Sequence, residues 1–226
     1  MYLLIFTLGA ALASFFHLVV ERRERGESWI SGSSHCNHCM KAIPPYGLIP
    51  IGGYFLVRGR CVHCGGKVSP LHPLVELMGG ATALILYMEK AGPLLMILVL
   101  WGFYLTIEDL LFREVGALSL ELWLLATFLY AIKMSQPLIP GGLIFAVYTG
   151  FSKFTGAIGD GDGRYAAAVS FLLADPWNIV YYILHAHILA GAVALISLLT
   201  VRGREDREMA MFPFFFISGI LHLLFF

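Results

Sequence analysis

The feature that most constrains this chain is a recurrence of apolar runs, at about 2–20, 73–88, 93–112, 115–132, 137–152, 164–175, 178–201 and 209–226. A helix needs roughly 20 residues to cross the hydrocarbon core of a bilayer, with some tolerance for mismatch. Most of the runs reach or approach that length. The run 164–175 is the weak one, because it is short and ends at Asp175-Pro176. Only 13% of residues are charged and 58% are hydrophobic, whereas a soluble domain carries roughly twice that charged fraction. The expected fold is therefore an all-α polytopic membrane protein with about eight transmembrane helices. The lipid bilayer is its solvent, and a net charge of zero argues against a nucleic-acid partner.

The charges test that count. The first run lacks a basic segment before it, and Arg22, Arg23 and Arg25 follow it. That order describes an uncleaved first span with its N-terminus outside. With eight spans, all of the 15 Lys and Arg residues except Lys90 and Lys133 fall in cytosolic loops, a strong positive-inside bias. If 164–175 did not cross, Arg202, Arg204 and Arg207 in "RGREDRE" would lie outside. The chain then divides into a first transmembrane helix (1–20), a polar cytosolic loop (21–72) and a transmembrane core (73–226). The loop contains "IPPYGLIPIGGYFLVRGR", whose Pro and Gly residues predict turns and a short strand or hairpin rather than a long helix.

All four cysteines fall in that loop, as "CNHC" at 36–39 and "CVHC" at 61–64. Thiols stay reduced in the cytosol, so two CxxC pairs there read as a zinc site with Cys36, Cys39, Cys61 and Cys64 as ligands. Four thiolates leave no open position, so the Zn2+ is structural. His35, His38 and His63 lie beside the cysteines, and any one could replace a thiolate. A redox pair is the competing reading. The glycine after the second pair suits a tight knuckle, since glycine adopts positive φ without strain.

Among five aspartates, Asp175 and Asp206 sit at a span end and in a charged loop. Asp109, in "YLTIEDLLFRE", lies near the cytosolic end of its run. Asp160 and Asp162, in "GAIGDGDGRYAAA", lie at the cytosolic start of another. Charge next to lipid is costly and marks function by default. Two carboxyl groups held close share a proton. The ionised one takes a proton from water, and the protonated one polarises a peptide carbonyl. The plainer readings are an Asp109–Arg113 pair one turn apart and turn or capping roles for Asp160 and Asp162. The HxH of His185 and His187 points its rings about 200° apart on a helix, which favours packing over metal binding. Glu76 either orients the cysteine loop or contacts substrate. "FPFFF" at 212–216 reads as lipid-facing or packing surface.

Taken in order, these segments resemble the bacterial prepilin peptidases, polytopic aspartic proteases with a GxGD signature. The resemblance runs through "GLIP", "RGRC" and "PLVE" around the cysteine loop, then "TIEDLLFREV", then "GDGDGRYAAA". It implies Asp109 and Asp162 as the catalytic pair. GxGD needs glycines one and three residues before the acid; Gly161 and Gly159 satisfy this for Asp162, whereas Ala157 breaks it for Asp160. Arg164 stands where the family has Lys, and Val115-Gly116 where it has Ile-Pro or Leu-Pro. Gly159, Gly161, Arg164 and Glu76 are supporting candidates. The resemblance implies cleavage of the leader of a type IV prepilin or pseudopilin at the cytosolic face of the bacterial plasma (inner) membrane. Members with the cysteine loop are often bifunctional and methylate the new N-terminus with S-adenosylmethionine. No glycine-rich nucleotide motif in this chain supports that half. A CxxC-type redox membrane protein and an ion-coupled transporter are the alternatives.

Overall fold

A computed structural model describes residues 1–156, 159–200 and 209–225. The "RGREDRE" cluster at 202–208 and Ala157 lie outside them. Each apolar run becomes one helix. Between the first and second runs, the described residues hold no strand, only isolated bridges at His35–Ala42 and Arg60–Lys67. The strand or hairpin expected over 43–60 is instead a 3-10 helix, Pro45–Leu48, and a short α-helix. The reason is local: Pro44 and Pro45 set up the first turn, and Gly52-Gly53 opens the second. A Cβ on Gly53 would meet the Gly47 backbone, so the two turns are stacked too closely for an extended chain.

The chain forms two compact units, Met1–Lys90 and Ala91–Phe226. The first contains α1 (Tyr2–Glu24), α2 (Gly52–Leu56) and α3 (Leu71–Met88). Helices α1 and α3 pack against each other through small residues. A side chain on Gly9 would strike Ala83 and the Gly79 carbonyl oxygen, and Ala10 and Ala13 are fully buried. Gly9-xxx-Ala13 thus faces Gly79-xxx-Ala83, the small-residue spacing that lets two apolar helices approach closely. Arg22, buried near the end of α1, donates to the carbonyls of Ser28, Ser31 and Ser33 at 2.9–3.2 Å and pins the outgoing chain.

The second unit contains α4 (Pro93–Phe112), α5 (Ala117–Lys133), α6 (Leu138–Thr155), α7 (Asp160–Ser170), α8 (Pro176–Thr200) and α9 (Phe212–Phe225). Helix α4 opens with Pro93 at its first position, where the missing N–H costs nothing. Helix α7 is only 11 residues long. Its Ala166, Ala167 and Ala168 are fully buried, and it lies against α5, α6 and α9. Ala131, Ala167 and Phe171 form a core there, ringed by residues of α5 and α6. Trp123 of α5 is buried too, and its Nε1 donates to Leu98 O of α4 at 2.8 Å. The "FPFFF" segment supplies part of this interior, with Phe212, Phe215 and Phe216 all buried.

Among the described residues, α1, α3, α4 and Pro176–Leu199 of α8 are long and apolar enough to cross a membrane, and Phe212–Leu223 of α9 is apolar but shorter. The protein is therefore all-helical with at least these membrane-length apolar helices. Gly9→Leu is expected to separate α1 from α3 at a cost of about 1–3 kcal/mol, the usual penalty of overpacking. Thermal unfolding in detergent, compared with Gly92→Leu, where a Cβ meets nothing within 4 Å, checks this.

Candidate active site and metal centre

The cysteine loop folds into two matching knuckles. In the first, Cys36 N–H donates to Lys41 O and Met40 N–H to Cys36 O, both at 2.9 Å. In the second, Cys61 N–H donates to Gly66 O and Gly65 N–H to Cys61 O, both at 2.8 Å. The turn residue needs positive φ in each. Gly65 (φ 71) meets this without strain, while Met40 (φ 57) adopts it with a full side chain.

The knuckles face each other. Cys36 Sγ lies 3.9 Å from Cys64 Sγ, and Cys39 Sγ lies 3.9 Å from Cys61 Sγ. All four sulfurs lie within 4.8 Å of one another, and none is in a disulfide. Four Zn–S bonds of about 2.3 Å at tetrahedral angles put sulfurs about 3.8 Å apart, so the quartet fits a metal of that kind. Its charge fits as well. The N–H groups of His63 and Cys64 donate to Cys61 Sγ and bring that thiol down to about 6. Cys64 moves up to about 11: the Gly66 N–H opposes the rise, but desolvation and the Cys39, Cys61 and Cys36 sulfurs outweigh it. A divalent cation removes that mutual repulsion. Two of the neighbouring histidines are turned to other groups. His35 Nε2 is 3.5 Å from Glu27, and His63 Nε2 is 3.3 Å from Ala42 O.

Glu76 of α3 is buried and grips the middle of this loop. Its Oε2 accepts the Ile51 N–H at 2.5 Å, and its Oε1 accepts the Ser14 hydroxyl at 2.7 Å. Ile51 has φ 61 and ψ −55, and the Gly52 N–H donates back to Pro50 O at 2.6 Å. This is a γ-turn at a β-branched residue, a strained conformation that persists only where its surroundings enforce it. The carboxylate of Glu76 supplies that enforcement. Of its two expected roles, contact with the loop is the one these bonds display.

In the second unit, Asp109 and Asp162 lie within electrostatic range of each other. Asp109, near the end of α4, is buried and accepts the Phe212 N–H at 2.8 Å and the Met211 N–H. It thereby caps the start of α9 instead of pairing with Arg113, whose N–H donates to the Asp109 backbone carbonyl. Asp162 is the third residue of α7. Its Oδ2 accepts the Gly159 N–H at 3.1 Å, and its own N–H donates to Gly159 O at 3.1 Å, which closes the first turn. Asp160 faces elsewhere. Arg164 pairs with Asp160, and its Nε lies 2.6 Å from Glu121 of α5. Arg164 thus braces α7 against α5.

One contact missed by sequence reasoning ties the two acid-bearing helices together. Tyr165 Oη of α7 lies 2.7 Å from Thr106 Oγ1 of α4 and donates to Gly102 O at 3.0 Å. Both residues are fully buried. Asp162 lies three residues before Tyr165 and Asp109 three after Thr106. Nothing in the residue types marks Thr106 or Tyr165 in advance. His185 and His187 do diverge as expected: His187 Nε2 accepts from Tyr148 Oη at 2.9 Å, and His185 Nδ1 lies 3.0 Å from His222 Nε2.

Comparison with known proteins places these features in a family context. Residues 7–90 match the bacterial peptidase A24 N-terminal domain, which covers most of the first unit. A protein of Aeromonas hydrophila named prepilin leader peptidase/N-methyltransferase is 28% identical over 207 residues, 84% of this chain and 69% of that protein. These likenesses support a prepilin peptidase. Proteins of the same name from Myxococcus xanthus (strain DK1622) and Klebsiella pneumoniae are each 34% identical over 34% of this chain, but the matches span only 23% and 36% of their own lengths. No solved structure matches the chain.

Stripping metal, or the double change Cys36→Ser/Cys61→Ser, is expected to unfold the loop between α1 and α3 while leaving the long helices intact. The loop has little core of its own, so bound metal supplies much of its folding energy. Limited proteolysis read by mass spectrometry checks this, with new cuts confined to residues 25–70.

Proposed function

We propose that this chain is a membrane aspartic endopeptidase that removes the leader peptide from a type IV prepilin or pseudopilin. The observation that carries the proposal is that buried Asp109 and half-buried Asp162, from separate helices of one compact unit, lie within electrostatic range. The relatives' name supports the substrate class. In this reading the chain crosses the bacterial inner membrane about eight times, with the active site and the cysteine loop facing the cytosol, where a basic leader lies. A redox role for the cysteines is not favoured, since the quartet has the spacing of a metal site.

The hydrogen bonds divide the labour. Asp109 accepts two backbone N–H groups, from Phe212 and Met211, so it is the partner best able to stay a carboxylate and take a proton from the attacking water. Asp162, with one N–H donor and a neighbouring carboxylate, holds the shared proton and gives it to the scissile carbonyl oxygen. Water oxygen bonds to the carbonyl carbon, the tetrahedral intermediate forms, and return of the proton to nitrogen releases the new amine. Gly159, Gly161 and Arg164 act by shaping and bracing the start of α7, and the metal at the cysteines stabilises the loop without entering the reaction. Methylation of the released N-terminus from S-adenosylmethionine is the second activity that the relatives' name carries. It is included in the proposal on that name alone.

Asp109→Asn and Asp162→Asn are each expected to lower cleavage by a factor of about 10² or more, the scale of a lost general acid or base. Asn keeps an acceptor for the Phe212 or Gly159 N–H, so both variants should fold. Asp160→Asn should keep most of the activity. The check is cleavage of a purified prepilin by the chain in detergent, and wild-type rates in either of the first two variants would sink the assignment. Adding labelled S-adenosylmethionine to the same reaction reads the methyl transfer.

A further inference from the structure

A second group of metal-ligating side chains lies in the first unit, where no sequence motif announces it. His17 and Glu21 stand one turn apart on α1, and His72 is the second residue of α3. One ligand atom from each lies within 4.8 Å of the others. Glu21 Oε1 is central, 3.6 Å from His17 Nε2 and 4.0 Å from His72 Nε2. Both distances are too long for good hydrogen bonds. They are close to the separation of about 3.4 Å that a four-coordinate ion with nitrogen and oxygen ligands imposes.

We propose that His17, Glu21 and His72 form a second site for a borderline divalent cation of the Zn2+ type. Two imidazoles and one carboxylate are a donor set that such ions prefer. The carboxylate is already oriented for it. Glu21 Oε2 lies 3.4 Å from Arg25 Nη2, which leaves Oε1 to the histidines. The same guanidinium donates through Nη1 to Asn37 Oδ1 at 2.6 Å, inside the first cysteine knuckle, so the two sites are joined by one side chain. His17 is 2% exposed, and its Nε2 is turned to the Glu21 carboxylate. The His17 and His72 rings stack at 4.2 Å. A turn of the half-exposed His72 ring brings both Nε2 atoms onto one ion. Water would complete the set, since Glu21 and His72 are partly exposed.

The site has a structural consequence. The cysteine loop leaves α1 just after Glu21 and returns at the start of α3, at His72. An ion here would tie both stems of the loop together, as the cysteine metal ties its far end. The inference does not depend on the proposed peptidase activity, because it concerns only what the first unit binds.

Cobalt(II) titration of the full chain in detergent tests it. The cysteine site gives sulfur-to-cobalt charge-transfer bands, and the histidine site gives ligand-field bands only. The expected result is two equivalents bound, one of each kind. His17→Asn and His72→Asn should each lose the equivalent without sulfur bands and keep the other, which also reports that the unit is folded. Glu21→Gln should weaken the same equivalent by about tenfold or more, because a lost ligand costs at least as much as a lost outer partner. A single equivalent in the unmodified chain, or two in the histidine variants, overturns the proposal and leaves a stacked imidazole pair beside a carboxylate.

Discussion

The cluster of Thr106, Tyr165 and the Gly102 carbonyl governs the second unit, because both buried hydroxyls find their partners inside it. Both side chains are fully buried, and each hydroxyl also reaches the Gly102 carbonyl. A buried hydroxyl left without a partner costs about 1–3 kcal/mol, so α7 cannot slide along or rotate away from α4 cheaply. Tyr165 is further held between Trp123 and Phe212, with ring centroids 4.7 and 4.1 Å away. The three elements that carry the acids and their donors, α4, α7 and the start of α9, therefore meet on one phenol ring. Asp162 is one helical turn from that ring, and Asp109 is one turn from Thr106, the phenol's partner on α4. A small motion of any of these helices changes the separation of the acids, and the phenol resists that motion from all sides.

The first unit solves a different problem, which is how to fold a polar loop with almost no apolar interior. It does so with point attachments. Arg22 collects three carbonyls after α1, the cysteines gather both knuckles, and Glu76 holds the Ile51 turn between them. Each attachment is polar; Arg22 is anchored on α1 and Glu76 on α3, while the cysteines join the loop to itself. The close approach of those helices through Gly9 and Gly79 is what gives the attachments a common frame. Ile51 shows the tension in this scheme. A β-branched residue at φ 61 stores strain, and the bond to Glu76 offsets it, so the loop's shape depends on a carboxylate buried at the start of an apolar helix.

Apolar periodicity made the helices legible, since each run had one solution in which its backbone is satisfied internally. The cysteine quartet was legible because its spacing encodes its geometry. The loop between the pairs was not: its Pro and Gly residues announced turns, but the choice between a hairpin and stacked short helices was settled by the contact of Gly53 with Gly47, which no local pattern reveals. The Thr106–Tyr165 bond was hidden for the same reason, being made of ordinary residues 59 positions apart. The His17–Glu21–His72 group had half a signal, an acid and a histidine at i and i+4. The third member came from packing.

The two acids of "GDGDG" show why register matters more than composition at such a site. Asp160 and Asp162 are two residues apart on one helix, so their side chains leave the axis about 200° apart. Only one of them can face α4 and α9. Asp160 points to the outer surface, where Arg164 one turn later neutralises it and Glu121 shares the guanidinium. Asp162 is left on the inner side, with the Gly159 N–H as its donor. Moving the helix start by one residue would rotate this arrangement by about 100° and take Asp162 off the inner side. The glycine before the helix and the carboxylate that folds back onto its N–H fix that start. The first turn of α7 therefore sets which acid the proposed chemistry can use.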